Sequence, residues 1–171
     1  KLIEVKKIPT YQEELIIDGR RFKQFGRTTL EVRTNLSDEE MSIVPKHDEK
    51  FIYNHDLMEQ LALGISACDN ILMVGETGCG KTAYVEEIAS LINQPLIVQN
   101  LRGDIRSSAF IGKPMLVIDP ETKKSITKYI YGILPRAMEN GWWLLLDELD
   151  AATPEILFVF QRVLTHRQLI L

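Results

Sequence analysis

The chain has 171 residues, of which 45% are hydrophobic and 26% charged, enough for one compact α/β domain with a real core. Its formal net charge is −4, so no basic field covers it and nucleic acid is not indicated as a partner. No apolar run approaches the ~20 residues that span a bilayer, and Cys68 and Cys79, which lack metal-ligand spacing, read as free thiols in a reducing, cytoplasmic setting.

The chain opens at Lys1 without a methionine or a signal-like apolar stretch, which reads as a trimmed start. Residues 1–40 read as a small N-terminal β element and linker. Leu15–Asp18 and Gly19–Phe22 predict a hairpin closed by Asp18-Gly19. Lys6, Lys7, Arg20, Arg21, Lys23 and Arg27 surround it, and the polar stretch Ser37–Glu40 joins it to the rest of the chain.

From about Ile43 strands alternate with helices, the pattern of a parallel α/β sheet. Residues 41–171 therefore read as one core. Asn54 or Asp56 caps a helix whose apolar face carries Leu57, Leu61, Leu63 and Ile65. Asn70–Val74 is expected as a buried strand running into a Gly-rich loop. Lys81 opens a helix to about Ile92, with Tyr84, Val85, Ile88, Leu91 and Ile92 at helical spacing. Leu96–Gln99 is the next strand. Met115–Asp119 and Ile126–Tyr131 form a second hairpin. Pro135 starts a short helix that stops at Asn140-Gly141. Trp142–Leu146 is wholly apolar, as suits a strand buried on both faces. Thr153-Pro154-Glu155 then caps a helix to about Leu164.

Gly75-Glu76-Thr77-Gly78-Cys79-Gly80-Lys81-Thr82 matches G-x-x-x-x-G-K-[ST], the phosphate loop or Walker A motif. The glycines allow positive φ and bring N–H groups close to phosphate oxygens. The helix that starts near Lys81, continuing into Ala83, adds the partial positive charge of its N-terminus. Lys81 supplies an ammonium for the β- and γ-phosphates of ATP, and Thr82 a hydroxyl for Mg²⁺. A predicted strand before the motif and a predicted helix after it are the context that distinguishes it from a chance Gly-rich turn.

Such a site needs a carboxylate at the end of a neighbouring buried strand. Trp142-Trp143-Leu144-Leu145-Leu146-Asp147-Glu148 provides one, as a Walker B motif. Two acids after five large apolar residues are costly inside a core. At the strand's C-terminal edge, facing Mg²⁺, the cost is offset. Asp147 is the expected metal-side acid and Glu148 the group that orients and activates water. Asp150 reads as a solvated loop residue, Cys79 as a loop position without a redox role, and the tryptophan pair as packing. His47, His55 and His166 share no ligand spacing and read as surface residues.

The phosphate loop, the acidic strand and Gly132-Ile133-Leu134-Pro135-Arg136-Ala137-Met138-Glu139-Asn140-Gly141 together resemble the AAA+ ATPases of the MoxR-type branch. That branch includes dynein-related and midasin-like modules. Asn100-Leu101-Arg102-Gly103-Asp104, Asp147-Glu148-Leu149-Asp150-Ala151-Ala152 and Pro154–Val159 are most similar to the group around the ATPase subunit of aerobic cobaltochelatase. The likeness runs from about Ile43 to Leu171. It implies a P-loop NTPase fold, with helices flanking a parallel sheet, and a ring ATPase, usually hexameric, with ATP at subunit boundaries. It also implies that Phe51, Ile52 and Tyr53 wall the adenine and that the Met115–Tyr131 hairpin projects toward the ring's working surface. The family's sensor residue, arginine finger and helical lid are expected beyond Leu171, and Arg136, Arg162 and Arg167 do not stand at finger positions. The expected activity is Mg²⁺-dependent ATP hydrolysis that remodels a client protein or complex. The rivals are a non-hydrolysing nucleotide-gated module and a P-loop small-molecule kinase.

Overall fold

The computed structural model describes residues 14–68, 70–101 and 105–169. Lys6, Lys7 and the Arg102-Gly103-Asp104 stretch lie outside the described residues. The chain forms two compact units, Lys1–Leu96 and Ile97–Leu171, and has the expected α/β fold class.

In the first unit β1 (Glu14–Ile17), β2 (Arg20–Phe25) and β3 (Thr28–Glu31) form an antiparallel meander. Ile17 stands opposite Arg20 and Phe25 opposite Thr28. Asp18 and Gly19 close the first hairpin with φ of 50° and 77°, the positive pair whose twist matches the flanking strands. The third strand adds to the expected hairpin. Its turn is set by Gly26, with φ +59°; a Cβ there would lie 2.4 Å from the Glu59 carboxylate. Phe25, Leu30 and Val32 are buried.

Ser37–Glu40 is not a loose joint. It opens α1 (Asp38–Ser42) with a capping box, in which the Ser37 hydroxyl accepts the Glu40 N–H at 3.2 Å and Glu40 Oε2 accepts the Ser37 N–H at 3.0 Å. Helix α2 (His55–Ser66) is capped by Asn54, whose Oδ1 accepts the Leu57 N–H at 3.2 Å. Its buried face is Met58, Leu61 and Ala62, while Leu63 is exposed; spacing of three and four residues puts the former on one side. That face packs on β2, β3 and α3 (Lys81–Leu91).

Residues 71–74 differ from the expected buried strand. They have no regular secondary structure, and Ile71, Leu72 and Val74 are exposed. Among the described residues no strand pairs with them, and a strand becomes buried only when neighbours cover it.

The second unit holds β4 (Leu96–Asn100), α4 (Ser107–Ile111), β5 (Gly112–Ile118), β6 (Ser125–Tyr131), α5 (Ile133–Asn140), β7 (Trp143–Asp147) and α6 (Pro154–His166). β4 pairs with β7 in a parallel sheet, and the Leu101 N–H donates to the Asp147 carbonyl at 2.9 Å. β5 and β6 form the expected hairpin, longer by several residues, running from Gly112 opposite Tyr131 to Ile118 opposite Ser125. Asp119 ties its turn by accepting from the Thr122 hydroxyl at 2.6 Å and the Glu121 N–H at 3.0 Å. Helix α5 starts two residues before Pro135 and ends at Gly141, whose φ of +65° suits a helix stop. Thr153 and Pro154 start α6 as their residue types predict.

The core of this unit is Leu101, Phe110, Leu134, Ile156 and Phe160, with the Phe110 and Phe160 rings edge to face at 5.0 Å. Trp142 is buried just before β7, under the Arg136 guanidinium at 5.4 Å. β7 itself is half-buried along its whole length rather than buried on both faces, because β4 is its one described neighbour.

Candidate functional site

The phosphate-loop sequence folds as a loop that turns into a helix. Gly78 and Gly80 take φ of +81° and +86°, a backbone that side-chain-bearing residues adopt at a cost. Gly80 is the residue from which α3 starts, so Lys81, Thr82 and Ala83 form the helix's first turn. The first N–H groups of a helix have no partner inside it and carry its partial positive charge. Gly75, Glu76, Thr77, Gly78 and Cys79 are exposed.

Lys81 folds back onto its own loop. Its Nζ donates to the Gly75 carbonyl at 2.9 Å and the Glu76 carbonyl at 2.8 Å, and lies 3.8 Å from Cys79 Sγ. An ammonium held by neutral carbonyls is readily recruited by an anion, whose full charge adds Coulomb attraction to the hydrogen bond. Beside it opens a cavity of about 390 Å³, lined by Leu57, Leu61 and Tyr84 as well as Cys79 and Lys81. The hollow is open to solvent, and the stretch at residues 71–74 forms much of its apolar lining.

Phe51, Ile52 and Tyr53 stand beside Tyr84 and do not line this cavity. The Phe51 ring meets Tyr84 edge to face at 4.9 Å and Tyr53 at 5.1 Å. The side chain of Ile52 is exposed. The Tyr84 hydroxyl accepts the Asn54 N–H at 3.1 Å and donates to the Ile52 carbonyl at 3.5 Å. Tyr53 donates its hydroxyl to Glu87, a carboxylate only 3% exposed.

Tyr84 lines the hollow and Glu87 is buried against Tyr53, and helical periodicity singles out neither: Tyr84 reads as one more apolar position. The signal was their spacing of three, which puts both on one face of α3, together with an acid inside an apolar run. His47 is exposed, as expected of a surface residue, and its Nδ1 lies 2.8 Å from Glu87 Oε1.

In the second unit, Asp147 ends β7 and is half-buried, while Glu148 is exposed. The Asp147 carboxylate accepts the Glu148 N–H at 3.0 Å. Glu148 has φ 55° and ψ 49°, a left-handed conformation that is uncommon outside glycine and gathers at functional sites. It sends the chain straight into a 3₁₀ turn, Leu149–Ala151, closed by the Ala151 N–H on the Glu148 carbonyl at 2.9 Å. Asp150 is an exposed member of that turn. Asn100, at the end of β4, has a buried Oδ1 with no hydrogen-bond partner among the described residues.

Thr82 in the first unit carries a hydroxyl, and Asp147 in the second a carboxylate. These are hard oxygen donors of the kind Mg²⁺ takes while keeping several waters and bridging to phosphate. Among the described residues no group of three His, Cys, Asp or Glu side chains forms a cage for a metal. No described helix is long and apolar enough to cross a membrane. Cys68 and Cys79 are both exposed, and neither is in a disulfide among the described residues.

Comparison with known proteins gives the chain a family. The family described as AAA domain (dynein-related subfamily) matches residues 70–171. The aerobic cobaltochelatase subunit CobS of Sinorhizobium sp is 29% identical over 121 residues, 71% of this chain and 36% of that protein. The Bacillus subtilis (strain 168) protein YojN is 30% identical over 122 residues, covering 71% of this chain and 38% of its own length. A Staphylococcus aureus (strain USA300) protein is 32% identical over 99 residues, 58% of this chain and 37% of its own. The chain thus spans little more than a third of the length of these relatives.

Proposed function

The chain belongs to the dynein-related subfamily of AAA domains, and from that premise we propose that it binds ATP with Mg²⁺ and hydrolyses the γ-phosphate bond. The observation that carries this reading is the loop itself: left-handed Gly78 and Gly80 lead into the first turn of α3, and the Lys81 ammonium rests on the Gly75 and Glu76 carbonyls. We take residues 41–171 as the nucleotide-binding core.

Lys81 leaves the Gly75 and Glu76 carbonyls for the β- and γ-phosphates, and the loop N–H groups of residues 75–83 hold the remaining oxygens. Thr82 and Asp147 hold the magnesium ion, which neutralises phosphate charge when bound. Glu148 orients the attacking water and takes its proton, and Lys81 steadies charge spreading onto the phosphoryl oxygens. Phe51, Ile52 and Tyr53 contribute to the adenine side. Hydrolysis drives remodelling of a client protein or complex by a cytoplasmic homo-oligomeric ring, a hexamer by family resemblance. The relative named as a cobaltochelatase subunit supports a client of the chelatase kind.

Titration of the protein with a fluorescent ATP analogue in Mg²⁺, followed by a phosphate-release assay, tests the reading. Saturable binding competed by ATP, with phosphate released, supports it. Saturable binding without phosphate release leaves a nucleotide-gated module, and absence of both overturns the assignment.

A further inference from the structure

Glu87 is a carboxylate placed where charge is costly. It lies six residues after Lys81 on α3 and is only 3% exposed. A buried carboxylate is tolerated when its oxygens are bonded, and here the partners come from one stretch of chain. His47 Nδ1 lies 2.8 Å from Oε1, the Tyr53 hydroxyl donates to the same oxygen, and the Asp48 N–H donates to Oε2 at 3.3 Å. A carboxylate oxygen only accepts, so the proton of the His47 contact sits on Nδ1. Glu87 thus clasps residues 47–53 to the helix that carries the phosphate loop.

The clasp leads directly to the cavity. One turn before Glu87, on the same face, Tyr84 is held by the segment that Glu87 holds. Phe51 packs edge-on against its ring at 4.9 Å, and the Asn54 N–H donates to its hydroxyl at 3.1 Å. Asn54 is also the cap of α2, and α2 supplies Leu57 and Leu61 to the cavity that Tyr84 and Lys81 share. Residues 47–54 are thus tied to the Tyr84 side of that cavity, which residues 71–74 line elsewhere.

We propose that Glu87 is a positioning residue for nucleotide recognition, fixing the wall against which the nucleoside part of a triphosphate lies next to the phosphate loop. The proposal rests on the phosphate-loop reading above and adds to it. The loop recognises the polyphosphate, and the Glu87 clasp sets the contribution of base and ribose. Removing the clasp is expected to lower affinity for the nucleoside part selectively, because phosphate contacts depend on Lys81 and backbone N–H groups that Glu87 does not touch.

The experiment measures Mg²⁺-ATP and Mg²⁺-tripolyphosphate affinity for the parental chain, Glu87→Ala, Glu87→Gln and Tyr53→Phe, by calorimetry. Glu87→Ala should weaken ATP at least tenfold and tripolyphosphate less than twofold, so that ATP loses its advantage over the bare polyphosphate. Glu87→Gln keeps a carbonyl acceptor for Tyr53 and should recover most of the ATP affinity; Tyr53→Phe should fall between. If ATP and tripolyphosphate weaken together in Glu87→Ala, the residue only supports the fold and the proposal is overturned. Unchanged ATP affinity in Glu87→Ala overturns it too. Should Glu87→Ala fail to fold, Glu87→Asp, which shortens the reach of the carboxylate by one methylene, decides by the presence or absence of the selective ATP loss. Failure of the parental protein to bind either ligand would instead sink the phosphate-loop reading, so the two failures are distinguishable.

Discussion

Asp147 accepts the backbone N–H of Glu148 through its Oδ1 at 3.0 Å, while Glu148 itself sits at φ 55°. Asp147 thereby helps hold its neighbour in a conformation that costs of order 1–3 kcal/mol, and the two acids point their side chains from one strained step of chain. Glu148→Gln keeps the size of the side chain and removes its basicity. ATP affinity should remain within about threefold while phosphate release falls by roughly 10² or more. Asp147→Asn keeps an acceptor for the Glu148 N–H, so its effect should appear in the Mg²⁺ concentration needed for ATP binding. Paired titrations at varied Mg²⁺ and a single-turnover assay separate these outcomes. A Glu148→Gln protein with parental turnover removes Glu148 from the water-activating role.

Lys81→Ala removes the ammonium that rests on the Gly75 and Glu76 carbonyls. Its contact with a phosphate is charge-assisted, worth about 1.5–3 kcal/mol, so ATP affinity should fall roughly ten- to a hundredfold. Because those carbonyls are exposed to water, the unfolding midpoint of the free protein should hardly move. Unchanged affinity for a fluorescent ATP analogue is the result that removes Lys81 from the site.

Much of the fold was legible because single residues dictate local geometry. Asp18-Gly19 makes a hairpin turn by positive φ, Thr153-Pro154 starts α6, and Asn140-Gly141 ends α5. What was missed depends on partners far away in sequence. Whether Ile71–Val74 becomes a ladder strand is decided by its neighbours, not by its apolar run. The third strand of the meander is short and mixed in character, and its place depends on burying Leu30 among distant residues. The Ser37–Glu40 capping box was readable from its spacing, but its three consecutive acids Asp38, Glu39 and Glu40 look like a linker. Among the candidate site residues, motif spacing located the loop and the acid pair. Glu87 was invisible because a buried acid is defined by its surroundings.

Gly132 and Gly141 flank α5 and should respond oppositely to a larger residue. A Cβ on Gly132 would stand 2.3 Å from the Phe110 carbonyl oxygen, whereas one on Gly141 meets nothing within 4 Å. Gly132→Ala must therefore shift backbone at the base of the β5–β6 hairpin, and overpacking of this kind costs about 1–3 kcal/mol. Gly141→Asn asks only for a left-handed asparagine, which costs well under 1 kcal/mol relative to other residues at such a stop. Denaturant midpoints of the two variants check this. Equal stability loss would mean that the close approach at Gly132 yields without cost.

The arginines of the first unit motivate an expectation about assembly. That unit carries the phosphate loop and has four arginines, each paired with a glutamate. Arg20 reaches Glu31 at 3.6 Å, Arg27 reaches Glu59 at 3.0 Å, Arg33 reaches Glu40 at 3.1 Å, and Arg21 pairs with Glu14. All four sit at the meander and its joints, three of them in exposed pairs, and none lies within the phosphate loop. An arginine from another copy supplies that charge in the ring reading, and such a residue raises turnover by about 10³–10⁵. In the full-length protein, phosphate release per subunit should therefore rise with protein concentration, in step with growth in light-scattering mass. It should be suppressed when Glu148→Gln copies are mixed in, more steeply than dilution predicts if neighbouring sites act together. Constant turnover per subunit from a monomer across the whole range would remove the ring and leave an ATPase complete within one copy.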